Sequence, residues 1–366
     1  MKLLLLPVLV VVLASSQGPP EDVLLLKGGR IVTVSGEEID GGMILIEHGK
    51  ISAVGATVKH PAGILTLEIP KNSWVLPGFV DAHSHLGSAF DVEEATESLT
   101  PEARAVEAFT SRHAEVRAAL GSGVTTVALA PGNGNLVGGR VGIVKLNGQR
   151  YDRALRLVSA GFKVSLGPEA LRPDREPTSR TGAVAMLRDR LRDPKSELLT
   201  KPMFVHANSA GEIESALDLQ SAFRLKMTLV HARQAGEALD RVAAAKLPVA
   251  FGPLTVSERR DVLETPGRLA RAGVPVAFVS DAPATPEEHL RVSAAFAVKY
   301  GMDREAALRA LTTVPAELLG LSKDCGSIAE GKAADLVIWS GDPLSLSSEV
   351  EQVLVDGRST WKKGKP

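Results

Sequence analysis

His83 and His85 lie two positions apart at the end of an apolar run, Leu76-Pro-Gly-Phe-Val-Asp81. Side chains two apart on a strand share a face, so both imidazoles can reach one ion. His206 follows Phe204-Val205, His231 follows Leu229-Val230, and Asp281 follows Phe278-Val279-Ser280. Each closes a short apolar run that reads as a strand. Imidazole nitrogens and a carboxylate form a donor set suited to zinc and related divalent ions. The single cysteine, Cys325, excludes a disulfide framework and a Cys-rich zinc site. One histidine after an apolar strand is usually a packed residue, and His-x-His alone is weak evidence. Five such side chains, each at a strand end, point to a shared site. His48, His60, His113 and His289 fall in turns or helices and read as ordinary solvated residues.

The elements that must position these side chains alternate. Candidate strands are Val75–Asp81, Val124–Ala130, Gly142–Leu146, Phe162–Leu166, Met203–His206, Met227–His231, Val249–Phe251 and Val274–Ser280. Near-continuous apolar runs of this kind suit parallel strands buried on both faces. Helices are expected between them. Thr100-Pro-Glu102 opens one, Ser209-Ala-Gly-Glu212 and Thr285-Pro-Glu-Glu288 read as capping boxes, and two more lie near Asp303–Thr312 and Pro315–Leu319. The run Arg188–Asp193 reads as an exposed helix face. Eight strands over roughly 250 residues match an α/β fold of the (β/α)₈ type, whose active sites sit at the C-terminal strand ends. A doubly wound open sheet is the alternative, although no GxGxxG follows the first strand.

Both chain ends have a different texture. Val23–Leu26, Arg30–Val34, Met43–Glu47 and Ile51–Val54 are short runs broken by Gly28-Gly29, Gly41-Gly42 and His48-Gly49. Asp335–Trp339 and Val353–Val355 are strand-like, and Asp356-Gly357 signals a hairpin. We expect one small discontinuous β-sandwich domain, residues 22–74 with 323–366, flanking a barrel over 75–322. Residues 1–16 read as a signal peptide: Lys2 precedes the apolar run Leu3–Leu13, and small residues follow at Ala14, Ser15 and Ser16. The expectation is export to the periplasm or the medium without a permanent membrane anchor. A net charge of −1 and 4% aromatic residues give no basis for a nucleic-acid partner. A homo-oligomer is compatible with this composition but not indicated by it.

The segment Leu76-Pro-Gly-Phe-Val-Asp-Ala-His-Ser-His85 resembles the first-strand motif of the amidohydrolase superfamily. Gly326-Ser-Ile-Ala-Glu-Gly-Lys-Ala-Ala-Asp-Leu-Val-Ile-Trp339 resembles that superfamily's return into its β-domain. The resemblance runs from about Val23 to the chain end and is strongest to the imidazolonepropionase-like branch. It implies one or two metal ions, zinc being the first choice. By this resemblance His83, His85 and Asp281 bind one metal, and His206 and His231 bind a second or polarise the substrate. Binuclear relatives need a bridging ligand after the fourth strand. Lys163, inside that strand, and Glu169, just past it, are the candidates, and a structural role for either stays open. Asn208 stands where relatives often have a second histidine.

The chemistry expected of such a site is hydrolysis of an amide, cyclic amide or small peptide-like C–N bond. A divalent ion makes water a usable nucleophile near neutral pH. Asp281 would take the proton of that water and pass it to the leaving nitrogen. His231 would help polarise the carbonyl. The alternatives are a deaminase-type hydrolase and a catalytically degenerate barrel retained for binding. The Gly-rich stretch Gly132–Gly139 either borders the pocket or is a plain loop, and it lacks the Gly-Lys-Ser/Thr of a phosphate-binding loop. Arg172, Arg175 and Arg180 follow the fourth strand and read first as solvated surface residues, second as partners for a substrate carboxylate.

Overall fold

Strands from both ends of the chain pair into one sheet. The computed structural model describes residues 22–88, 91–147 and 154–364. From the first part come β1 (Val23–Val32), β2 (Glu38–Asp40), β3 (Met43–Glu47), β4 (Lys50–Gly55) and β5 (Leu65–Pro77). The far end supplies β14 (Leu336–Trp339), β15 (Val350–Val355) and β16 (Arg358–Lys362). Their order is β16-β15-β14-β5-β1-β3-β4, with β2 on β1. The two halves meet where β14 runs antiparallel to β5, Leu76 opposite Val337. Gly28-Gly29 does not end a strand, as its Gly pair suggests, but makes a bulge inside β1. Only glycine fits there, since Gly28 has φ 104° and a Cβ would lie 2.5 Å from the Ile69 carbonyl oxygen.

The second sheet holds β6 (Phe79–Ser84), β7 (Val124–Leu129), β8 (Val137–Lys145), β9 (Leu155–Ser165), β10 (Met203–His206), β11 (Met227–His231), β12 (Val249–Phe251) and β13 (Val276–Phe278). They pair in consecutive order and curl into a nearly closed barrel. Val80, Ala128, Ile143, Phe204, Val230, Ala250 and Ala277, drawn from seven of these strands, pack together as the barrel interior. Val127, Val205, Leu229 and Phe278 instead join the larger core beneath the helices. Those helices include α1 (Ala114–Gly121), α2 (Arg180–Arg192), α3 (Ala210–Phe223), α4 (Leu239–Ala244), α5 (Arg260–Arg271), α6 (His289–Lys299), α7 (Arg304–Leu311) and α8 (Thr313–Leu318). The barrel departs from strict (β/α)₈ regularity at its third strand. β8 runs antiparallel to both β7 and β9, so no crossover helix is required on that side.

Between the two sheets the chain turns at Gly78. The run Val75–Asp81 reads as one strand, yet it splits there into the end of β5 and the start of β6. A Cβ on Gly78 would lie 2.1 Å from Thr125 Oγ1 on the neighbouring strand, and its N–H donates to the Asp335 carbonyl at 2.9 Å. Gly78→Ala is therefore expected to cost about 1–3 kcal/mol through overpacking. An unchanged denaturant midpoint would show that the corner can relax.

Local signals fared unevenly. Ser209 and Glu212 form the expected capping box of α3. Thr100 caps no helix, because its N–H and hydroxyl both turn to the Val137 carbonyl and leave only a short 3₁₀ turn at Ala105–Ala108. Thr285 is not the cap of α6 either, since that helix starts at His289 and Glu287 turns into the protein interior. Arg188, Asp189, Arg190 and Arg192 do lie on the exposed side of α2, with Leu187 and Leu191 buried. The expected signal peptide, residues 1–16, lies outside the described residues. Among the described residues no helix is long and apolar enough to cross a membrane.

Candidate metal centre

β6 delivers His83 and the turn after it delivers His85, their rings 5.2 Å apart. β10 ends on His206 and β11 on His231, with ring centroids 4.9 Å apart. Asp281 follows β13 at the C-terminal end of the barrel. Its Oδ1 lies 3.8 Å from His83 Nε2, 3.5 Å from His85 Nε2 and 3.4 Å from His231 Nε2. One donor atom each from His83, His231 and Asp281 fall within 4.8 Å of one another. Backbone strain marks the same place. His231 and Asp281 adopt φ of 66° and 59°, left-handed values that cost on the order of 1–3 kcal/mol apiece. Such strain persists only where the surrounding structure fixes it.

Second contacts set the tautomers. His85 Nδ1 lies 2.8 Å from the Ala130 carbonyl, so it donates there and leaves Nε2 as a lone pair facing Asp281. His206 Nδ1 and His231 Nδ1 are 3.0 Å apart and share one proton. Four site atoms are buried without a hydrogen-bond partner: His83 Nδ1, His206 Nε2, His231 Nε2 and Asp281 Oδ1. Buried polar atoms are rarely left unpaired, and two of these, His231 Nε2 and Asp281 Oδ1, face each other at 3.4 Å. Burial lowers His231 to about 4 and pushes His83 well below its ordinary range, so both rings are neutral at physiological pH. Burial alone would raise the Asp281 carboxyl, but the facing His231 and His85 rings outweigh it and hold it well below the usual carboxylate range. Neutral imidazoles beside an ionised carboxylate match what a divalent cation requires.

The two bridging candidates separate in space. Lys163 is fully buried on β9 with Nζ 3.2 Å from His83 Nε2. Glu169 is half-exposed on the far side, its Oε2 3.4 Å from His206 Nε2. Only Lys163 lies against the His83 side of the cluster. Burial lowers the Lys163 amine from 10.5 to about 7, against the opposing pull of Asp281, Glu93 and Glu169. In the metal-free protein the unfolded chain then binds more protons than the folded chain between pH 7 and 10.5. Folding stability must rise with pH across that window. Lys163→Met is expected to remove this rise, whose limit is on the order of 5 kcal/mol. Denaturant unfolding of chelator-treated protein at both ends of the window measures it, and an unchanged slope in the variant would contradict the assignment.

Several residues sit differently from what sequence suggests. Arg175 is half-buried, and its Nη2 donates to the Gly134 carbonyl at 2.7 Å and to Asn135 Oδ1 at 2.6 Å, pinning the Gly-rich loop. Gly134 N–H donates to Glu93 from the opposite side. Arg172 pairs with its neighbour Asp174 on the surface. Asn208 lies beyond His206 with a buried, unpartnered Oδ1. His48 and His60 are solvent-exposed, whereas His113 is half-buried as the N-cap of α1, its Nδ1 accepting from Glu115 N–H at 3.5 Å, and His289 is half-buried with an enclosed Nδ1. The buried trio Asp81, Ser280 and Glu287 escapes sequence reading altogether. Its signal is the acidic residue two before His83 inside an otherwise apolar strand. A cavity of about 940 Å³ lies elsewhere, between the first sheet and the barrel, and Lys145, Thr126 and Cys325 help line it rather than any of the histidines above.

Comparison with known proteins adds to this geometry. A family profile described as "Amidohydrolase family" matches residues 200–361. The chain is 25% identical over 397 residues to amidohydrolase tasK of Hapsidospora irregularis, covering 87% of this chain but 40% of that protein. It is 26% identical over 373 residues to an imidazolonepropionase of Acidiphilium cryptum, covering 84% of this chain and 88% of the relative. Among solved structures, an amidohydrolase from Thermotoga maritima superposes with a TM-score of 0.86 at 30% identity, over 93% of this chain and 100% of that one.

Proposed function

Because the chain belongs to the amidohydrolase family, we propose that the cluster of His83, His85, His206, His231 and Asp281 is a metal-dependent hydrolytic centre that opens a small cyclic or peptide-like amide. The family hydrolyses C–N bonds of small molecules and depends on metal ions. The observation that carries the reading is the convergence of three Nε2 atoms on Asp281 Oδ1, all within 3.8 Å. His83, His85 and Asp281 would hold one ion, and His206 with His231 a second. Lys163, as its carboxylated amine, would link the two, and zinc is the metal we expect. A bound divalent ion supplies Lewis acidity, which makes water a nucleophile near neutral pH and polarises a carbonyl.

The protein's own groups do the remaining work. Asp281 is ionised and can take the proton of the attacking water on Oδ1. Protonated, it can hand that proton to the leaving nitrogen. His85 is held by Ala130 and His231 by His206, so neither ring must reorganise as charge develops. The imidazolonepropionase relatives support a ring-opening reaction on a planar cyclic amide. Export, supported by the apolar run Leu3–Leu13, would place this activity outside the cytoplasm.

A panel of cyclic amides and N-acyl amino acids, offered to zinc-loaded protein, tests the reading. Carboxylate formation from at least one member is expected. Ammonia release from aminated rings instead would move the chain to deamination. Failure of the whole panel with metal bound would favour a barrel kept for binding.

A further inference from the structure

The barrel's two end strands, β6 and β13, are not joined by a ladder, yet they carry His83 and lead to Asp281. Among the described residues, two backbone hydrogen bonds cross this seam. His85 N–H donates to Ala282 O at 2.7 Å and Asp281 N–H to His83 O at a long 3.4 Å. Ser84 Oγ also donates across it to Ala282 O at 3.2 Å, and three further buried side chains link the two strands. Asp81 Oδ1 accepts from His83 N–H at 3.1 Å and from Ser280 N–H at 3.3 Å. Asp81 Oδ2 accepts from Ser280 Oγ at 2.5 Å. Ser280 Oγ in turn accepts from Ala282 N–H at 3.0 Å. Glu287 reaches in from the segment before α6 and places Oε2 3.1 Å from the same Ser280 Oγ.

Ser280 has one hydroxyl proton. Of the two carboxyl contacts of Ser280 Oγ, the one to Asp81 is much the shorter, 2.5 Å against 3.1 Å, and it takes that proton. The Glu287 contact can be a hydrogen bond only if Glu287 itself donates, as a neutral acid. Burial and the neighbouring Asp81 both raise the Glu287 carboxyl well above its ordinary range, in keeping with that donor role. We propose that Glu287 is a positioning residue: as a buried carboxylic acid it holds Ser280 on Asp81, and so fixes the spacing of His83 and Asp281 across the open seam. It touches no reacting atom. Its effect passes through the residues next to the two ligands, as supporting hydrogen bonds do at metal sites.

This inference rests on the metal-centre reading, so its test needs readouts that separate the two. Glu287→Gln keeps shape and a donor, whereas Glu287→Ala removes the donor. In the Gln variant, zinc affinity by chelator competition and kcat are expected within about twofold of the parent. In the Ala variant, zinc affinity should fall roughly 10–100-fold and kcat should fall with it, with KM little changed. Thermal melts confirm that both remain folded. Crystal structures of the two variants give the metal-independent readout, with a wider His83–Asp281 separation expected only for Ala. An Ala variant with parental affinity and spacing would overturn the proposal, as would a Gln variant as damaged as Ala. A parental protein that bound no zinc would sink the metal reading alone. The structures would still decide the positioning role.

Discussion

Asp281→Asn is expected to lower kcat by roughly 10²–10⁴-fold while leaving KM close to the parental value. The substitution keeps shape and one carbonyl oxygen but removes the proton-accepting charge. Asp281 Oδ1 is the atom on which His83, His85 and His231 all bear, and it is buried without a hydrogen-bond partner. A carboxylate held this far into its ionised form is a weak base in the empty site. Its proton transfer must therefore be driven by the reacting water and by the protonated amine that leaves. Loss of the charge should appear in turnover rather than in substrate binding. Metal content of the variant has to be measured alongside, because Asp281 is also a candidate ligand. A variant with full zinc and near-parental kcat would contradict its role as the proton carrier.

Lys163→Ala should lower metal content toward one ion per chain and activity by on the order of 100-fold. The geometry distinguishes Lys163 from the competing Glu169. Lys163 Nζ sits against His83 Nε2 inside the barrel, and burial brings its amine close to neutrality, the state that can take up carbon dioxide. Glu169 is half-exposed and reaches only His206. Glu169→Gln should accordingly leave metal content intact and change activity less. Metal analysis with a mass measurement of the intact chain under native conditions checks both. If Glu169→Gln lost the second ion and Lys163→Ala retained it, the assignments would be reversed.

Sequence alone made the histidines legible for a physical reason. Each follows an apolar run short enough to be a buried parallel strand, and strand ends of a barrel converge. His206 and His231 fall on the last residues of β10 and β11, as their runs suggest. Strand direction was not legible. Val141, Ile143 and Val144 are buried whichever way β8 runs, so the antiparallel third strand left no mark on composition. Nor was the break at Gly78, because Val75–Asp81 is apolar on both sides of it and only the approach of Thr125 forces the corner. The part of β5 before Val75 was missed because Thr66, Glu68, Lys71 and Asn72 interrupt it with polar residues that its half-exposed position permits. Lys163 could be offered only as one of two bridging candidates beside Glu169, and the place of Glu287 next to the site could not be read at all. Each is an isolated polar residue whose meaning depends on a neighbour more than 70 residues away, His83 for one and Asp81 for the other.

The claim that everything else depends on is that this cluster holds a metal. Elemental analysis of the purified chain, before and after it is offered zinc, addresses that most directly. Between one and two divalent ions per chain are expected, lost on chelation together with activity and regained with zinc. A folded chain that retains no metal under these conditions would contradict the assignment.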